Sequence, residues 1–182
     1  MHTRDEILAS VDDVQRQSSA YWSAFPADEF FAKIGEAWSP ADNVRHLAKS
    51  IRPVTRALRM PRLVLWLMFG RAKRASRTYD ALVDFYRSKL TGGNDAGRFA
   101  PSARVLTDPA EVLAQQEQAN RELRAAIARW PEKALDRYQM PHPLMGKLTV
   151  REMLFFTLYH QLHHIDVVRR RKEAGRAEAR PA

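Results

Sequence analysis

Apolar residues recur at helical spacing along most of the chain, and a short polar cap precedes several of these stretches. A Ser, Thr or Asp side chain can cap the free backbone N–H groups of a helix start, and an acid three residues later can reach back to it. Four pairs have this arrangement: Thr3 with Glu6, Ser39 with Asp42, Asp108 with Glu111, and Thr149 with Glu152. Because each pair precedes a helical apolar pattern, the sequence predicts four long helices.

The apolar periodicity predicts these four long helices over residues 4–23, 39–70, 109–130 and 150–174, and a shorter helix over residues 75–90. Pro53 and Pro61 remove backbone donors from the second of these, so they must bend or interrupt it. Gly92-Gly93 is expected to end the shorter helix over residues 75–90. Residues 91–107 and 131–148 are predicted as loops, and no alternating pattern is long enough to build a sheet.

Long helices joined by loops in a chain of 182 residues indicate an all-α protein. We expect an antiparallel four-helix bundle with an extra helix in the connection between the second and third bundle helices. A single domain would cover residues 1–174, and residues 175–182 would form a flexible basic tail. The N-terminus is acidic and the longest apolar stretch, 63–70, is too short to span a bilayer, so we predict a cytoplasmic protein.

The absence of cysteine and the net charge of +9 limit the chemistry. Without thiolates, a metal ion must be held by His, carboxylate or water. A basic chain can be drawn to nucleic acid or to an anionic surface. We favour a solvated surface and a loose tail as the explanation, because the charge is spread along the chain, and we do not expect nucleic-acid binding.

Three of the six histidines lie in the last predicted helix, and their spacing distinguishes them. At about 100° per residue, His160 and His164 lie one turn apart on the same face, where two imidazoles can share one metal ion. Apolar neighbours place this face in the bundle interior, whereas His163 falls at its polar edge. Gln161 lies on the apolar arc, where we expect it to form hydrogen bonds within the core.

His46 is the natural third ligand, because it lies two turns into the second helix in an apolar register. Three His ligands would leave a position for water, which a zinc-class ion makes acidic enough to react near neutral pH. Asp42, one turn earlier, is a weak candidate for orienting His46 or acting as a base. Two alternatives stay open, since a single inward His is more often a hydrogen-bonded core residue, and His142 could be a loop residue or overhang the site.

Three segments resemble motifs of the DinB-like superfamily. Residues 38–47, WSPADNVRHL, resemble its W-S-P-A-E-x-x-x-H-L opening of helix two. Residues 142–152, HPLMGKLTVRE, resemble its H-P-x-x-G-x-L-T-x-x-E lead into the last helix, and residues 156–164, FTLYHQLHH, its F-x-x-x-H-x-x-H-H segment. The order and spacing match over most of the chain, so the sequence is identified as a member of this superfamily.

The resemblance implies a four-helix bundle, often dimeric, with one divalent metal ion on His46, His160 and His164. Zinc and nickel are the ions that it implies. Similar proteins include thiol transferases that activate bacillithiol or mycothiol, and thiol-dependent isomerases of maleylpyruvate. The resemblance therefore favours thiol-dependent transferase or hydrolase chemistry on a small-molecule substrate, with a low-molecular-weight thiol as a possible cosubstrate. Kinship of fold does not determine the reaction.

A second interpretation is a stress-response or binding bundle without catalysis, in which the metal is structural or vestigial. The feature to examine is the apolar segment 63–69, which is flanked by arginines between Arg56 and Arg77. Such a segment is typical of a dimer face or a membrane-surface patch. The interpretation that we favour is a helix buried in the bundle or used in dimerisation. We favour an enzyme overall, because an open three-His site carries a cost of polar burial that a purely structural bundle does not need.

Overall fold

A computed structural model describes residues 3–90, 99–101 and 108–178 of the chain, with the backbone alone for 176–178. Within these ranges the elements are α1 Arg4–Ser23, α2 Ala27–Phe31, α3 Pro40–Arg59, α4 Arg62–Phe69, α5 Tyr79–Leu90, α6 Pro109–Ala128, α7 Glu132–Arg137, β1 Gln139–His142, β2 Gly146–Thr149 and α8 Val150–Glu178. The four long helices α1, α3, α6 and α8 form the predicted antiparallel bundle, and α5 is the extra helix between the second and third of them.

The helix starts follow the predicted caps. Thr3 and Glu6 form a complete capping box at α1, and Thr149 and Glu152 form the same reciprocal pair of hydrogen bonds at α8. At α3 the Ser39 hydroxyl accepts a hydrogen bond from the backbone N–H of Asp42. These local contacts determine where each bundle helix begins, and therefore how far along each helix the histidines lie.

The second predicted helix is two helices, because the chain breaks at Pro61 and not at Pro53. Met60 precedes Pro61 and is extended, with ψ 149°, as a residue before proline tends to be. Pro53 stays inside α3. Gly92-Gly93 lie outside the described residues, as does most of 91–107. The last helix extends to Glu178, so the first residues of the predicted tail continue the helix.

The apolar helix α4 is not buried in the bundle, contrary to one of the two interpretations favoured from the sequence. Only Leu65 is fully buried, whereas Leu63, Trp66, Leu67 and Met68 are between 40% and 72% exposed. Seven of the eight residues of α4 are apolar, so packing one side of the helix leaves the other side largely apolar.

Residues 131–148 are not the plain loop that the sequence predicted. They contain α7 and an antiparallel hairpin in which β1 pairs with β2, from Gln139 opposite Thr149 to His142 opposite Gly146. Gly146 has φ +72°, which glycine adopts without strain, and this favours the tight turn. The strands have four residues each, too few for a period-two pattern to be recognised. The hairpin brings His142 to the side of the bundle where α3 and α8 meet.

The core has a large cluster between α1, α3, α6 and α8, and a smaller one around Trp22 and Phe30. As expected, Gln161 forms hydrogen bonds in the interior, to Gln116 and Asn120 of α6. No helix in the described part of the chain is long and apolar enough to cross a membrane.

Candidate metal centre

The structure brings His46 of α3 together with His160 and His164 of α8. Nε2 of His160 lies 3.2 Å from Nε2 of His46 and 3.1 Å from Nε2 of His164. Among the described residues these three side chains form a group that could hold a metal ion, with ligand atoms all within 4.8 Å of one another. Their role as ligands stays a prediction.

The other ring nitrogens determine which atoms can bind a cation. Nδ1 of His46 lies 2.9 Å from the carbonyl oxygen of Phe99, and Nδ1 of His164 lies 2.6 Å from Oδ1 of Asn43. Both oxygens can only accept, so both Nδ1 atoms carry the proton and both Nε2 atoms present a lone pair. The Asn43 amide is oriented because its Nδ2 donates to the carbonyl oxygen of Ser39 at 2.8 Å.

Burial keeps the three imidazoles neutral. It lowers the pKa of His46, against the opposing effect of the hydrogen bond to Phe99. It also lowers the pKa of His160 and His164 well below the usual value, and the neighbouring histidines lower both further. Neutral imidazole is the form that binds metal ions. The cluster is therefore ready to bind a cation at neutral pH without first losing protons.

The cluster lies in the wall of a cavity of about 650 Å³. The α3 helix contributes a row of small side chains at helical spacing, Ser50, Pro53, Val54 and Ala57. Most of the remaining lining is apolar, from Phe69, Leu90, Met140, Leu144, Met153 and Phe156. Within the described residues the charged groups lining it are Glu36 and Arg171. The space beside the histidines is thus suited to an apolar molecule.

His142 overhangs this cavity, which is the second of the two placements that the sequence allowed. It ends β1, and its Nδ1 accepts hydrogen bonds from the backbone N–H groups of Leu144 and Met145 at 3.1 and 3.2 Å. The proton is therefore on Nε2, and burial lowers the pKa of His142 to about 4. Its ring packs on Phe156 at 4.3 Å between centroids, and Phe156 packs on His160 at 4.9 Å.

Among the described residues, the Asp42 carboxylate is paired with groups other than the His46 imidazole. This carboxylate accepts hydrogen bonds from the Ser39 hydroxyl at 2.8 Å and from the Arg45 guanidinium at 3.2 Å. The group that orients His46 is the Phe99 carbonyl instead. His163 also lies outside the cluster, with its ring stacked on Tyr159 at 5.7 Å.

Sequence reasoning missed three residues that support the histidines. Asn43 and Phe99 hold the Nδ1 atoms, and the ring of Trp38 stacks parallel to His164 at 6.4 Å. Asn43 lies one turn before His46 and is buried, so a polar residue on the inner face of α3 was a usable signal. Phe99 acts through its backbone carbonyl in a loop, which no pattern of side chains reveals.

Comparison with known proteins agrees with this architecture. No curated protein matches the chain. Two solved structures share this fold, each with a TM-score of 0.57. TT2238, described as a four-helix bundle protein, is 19% identical, and the match covers 92% of this chain and 98% of TT2238. YfiT from Bacillus subtilis, described as a probable metal-dependent hydrolase with an unusual four-helix bundle topology, is 18% identical, and the match covers 94% of this chain and 86% of YfiT. The family model of the DinB superfamily matches residues 10–168, so the chain belongs to the DinB superfamily.

Proposed function

We propose that His46, His160 and His164 hold one divalent metal ion, and that the protein is a metal-dependent enzyme acting on a small apolar substrate. The observation that carries this proposal is the convergence of three Nε2 atoms at the wall of a large apolar cavity. When bound, the ion would supply Lewis-acid activation of a water molecule or a thiol for hydrolysis or S-transfer.

The donor set fits such an ion. Two Nε2 lone pairs, from His46 and His164, are directed at the Nε2 of His160, which carries at most one proton and can donate to only one of them. A cation shared by the three nitrogens removes the repulsion between the remaining lone pairs. The carbonyl partners on Nδ1 are the contacts that metal-ligating histidines usually make. Neutral nitrogen donors suit zinc and nickel, the ions that we propose.

The cavity supports the substrate class. Its mostly apolar walls favour an uncharged body next to the histidines. The hydrogen-bond donor at Nε2 of His142 is available to orient a polar group of such a molecule, since its Nδ1 is occupied by the turn. YfiT is described as a probable metal-dependent hydrolase, which supports hydrolysis as one of the two proposed reactions. A low-molecular-weight thiol is the proposed cosubstrate for the other.

The first test is metal content by elemental mass spectrometry on untagged protein, beside two variants of α8. Wild type is expected to bind about one zinc or nickel ion per chain, and His160→Ala to lose it, since three protein ligands are the usual minimum for such a site. His163→Ala is the matched control, because it removes an imidazole from the same helix but outside the cluster. Equal metal content in wild type and His160→Ala would overturn the proposed site.

The reaction is tested on metal-loaded protein with an apolar aryl ester and with an apolar aryl electrophile plus a thiol. Ester cleavage without thiol indicates a hydrolase, whereas product that requires the thiol indicates a transferase. Either rate should fall to background in His160→Ala and stay in Asp166→Ala, which changes an exposed position of the same helix that does not line the cavity. If both variants match wild type in both assays, the bundle with a structural or vestigial metal replaces the enzyme.

A further inference from the structure

The outer side of α4 is an apolar surface without a partner in the described chain. It consists of Leu63, Trp66, Leu67 and Met68, which are 60%, 40%, 72% and 57% exposed. Within the described residues these four are the large apolar side chains that are exposed. Exposed apolar surface concentrated on one helix is typical of an interaction site, whereas single exposed apolar residues are ordinary. We call these four residues the α4 patch.

The α4 patch is held in place by the hairpin. The carbonyl oxygen of Phe69, the last residue of α4, accepts hydrogen bonds from the Gln139 amide at 2.7 Å and the Lys147 ammonium at 2.8 Å. Leu65 anchors the inner side of the helix in the core. The patch is therefore presented on a supported helix, and no rearrangement is needed to expose it.

The chain segment that contains the α4 patch carries charges of one sign. No Asp or Glu lies between Asp42 and Asp80 in the sequence, and α4 itself has none. Exposed basic side chains precede and follow the helix in the sequence, and they include Arg56, Arg62, Arg71 and Lys73. Arg59 is also exposed, but it pairs with Glu122 of α6 at 3.2 Å. An apolar helix between cations matches an anionic lipid surface, where acyl chains take up the apolar residues and headgroups pair with the cations.

A second copy of the chain fits this surface less well. A two-fold interface places the same patch on both sides, so the arginines of the two copies would face one another. A standard interface also buries roughly 800 Å² on each partner, more than four side chains of one short helix can supply. The extra area would have to come from the basic surroundings, where like charges meet.

We propose that the α4 patch attaches the protein to the surface of a membrane that contains anionic phospholipid. The helix would lie in the plane of the interface, with Leu63, Leu67 and Met68 inserted at the boundary of headgroups and acyl chains. The flanking arginines would pair with phosphates. The proposal does not depend on the metal site, which faces a separate cavity.

The test is sedimentation of the full-length protein with vesicles at low salt, followed by repetition at high salt. Vesicles of equal parts phosphatidylglycerol and phosphatidylcholine are expected to bind wild type, and pure phosphatidylcholine vesicles are not. Leu67→Glu should lower partitioning about tenfold or more, since it replaces an inserting side chain with an anion. Ala9→Glu, an exposed position on α1 with the same change in charge, should bind as wild type does.

Light scattering on the same proteins completes the experiment. Salt-sensitive binding to anionic vesicles that Leu67→Glu weakens and Ala9→Glu does not would support the proposal. Absence of binding to anionic vesicles at low salt, or equal binding by wild type and Leu67→Glu, would overturn it. A wild-type dimer that Leu67→Glu converts to a monomer would also overturn it, because the patch would then be covered by a second copy.

Discussion

Two neighbouring residues of α8 face two different polar regions of the interior. Gln161 turns toward α6, where its side chain bonds Gln116 and Asn120 in a network that also includes Ser18. His160 turns toward the cavity, where its Nε2 meets only the Nε2 atoms of two other histidines. The first region satisfies its donors and acceptors within the protein. The second gathers acceptors and lacks the donors to match them.

This difference separates the polar groups that support the fold from those that can bind something else. A buried polar group without a partner costs free energy, so folded proteins usually pair such groups internally. Glu152 is paired within the protein, as the amide network is. It is fully buried, and it accepts hydrogen bonds from Arg74, Arg77 and the backbone of Thr149. The histidine cluster departs from this rule, which is expected where an external cation completes it.

The largest effect is expected at the most strongly paired group. Burial opposes the ionisation of Glu152, but the hydrogen bonds from Arg74, Arg77 and Thr149 hold its pKa below the usual value. Glu152→Ala removes the buried acceptor of the Thr149 backbone N–H and of the partly exposed Arg74 and Arg77 guanidinium groups, so we expect the free energy of unfolding to fall by about 3 kcal/mol. Urea denaturation measures it, with Glu173→Ala, an exposed position on the same helix, as the control. A loss no larger than that of the control would show that the ion-pair network contributes little.

A smaller effect is expected for the amide network. Gln161→Leu keeps the volume but leaves Asn120 and Gln116 short of a partner, which we expect to cost about 1–3 kcal/mol of unfolding free energy. Metal content should stay at the wild-type level, in contrast to His160→Ala at the preceding position. Exposed Gln118→Leu serves as the control for the amide. Metal loss in Gln161→Leu would mean that the two sides of α8 are not independent.

The smallest effect is expected at Asn43, which holds His164 of the histidine cluster in place without belonging to the cluster. Asn43→Ala removes the acceptor at Nδ1 of His164, so the ring loses its orientation and we expect metal affinity to fall about 10-fold to 100-fold. Competition with a chromogenic chelator measures this change. Ser50→Ala, on the same helix with a hydroxyl that donates to the Leu47 carbonyl, should bind metal as wild type does. Equal affinities in the two variants would remove Asn43 from the site.

The sequence predicts the bundle well because periodicity and caps act over one or two turns. The bounds of α1 follow directly from Thr3 and from the apolar spacing. The β hairpin and α2 were missed because elements of four or five residues carry too little pattern. The grouping of the three histidines was predicted from register, which places side chains on helix faces. The Phe99 carbonyl was not, because a contact between residues 53 positions apart depends on the tertiary structure.

The row of small side chains on α3 separates two properties of the site, the size of the cavity and the positions of the histidine nitrogens. Ser50, Pro53, Val54 and Ala57 border the cavity, while His46 lies one turn before them on the same helix. A single methyl or methylene added along this row resizes the chamber without moving a nitrogen of the cluster. In the proposed enzyme, the chemistry and the choice of molecule could thus be inherited separately, and lineages that share these histidines would diverge in what they accept by exchanging small residues in one stretch of helix.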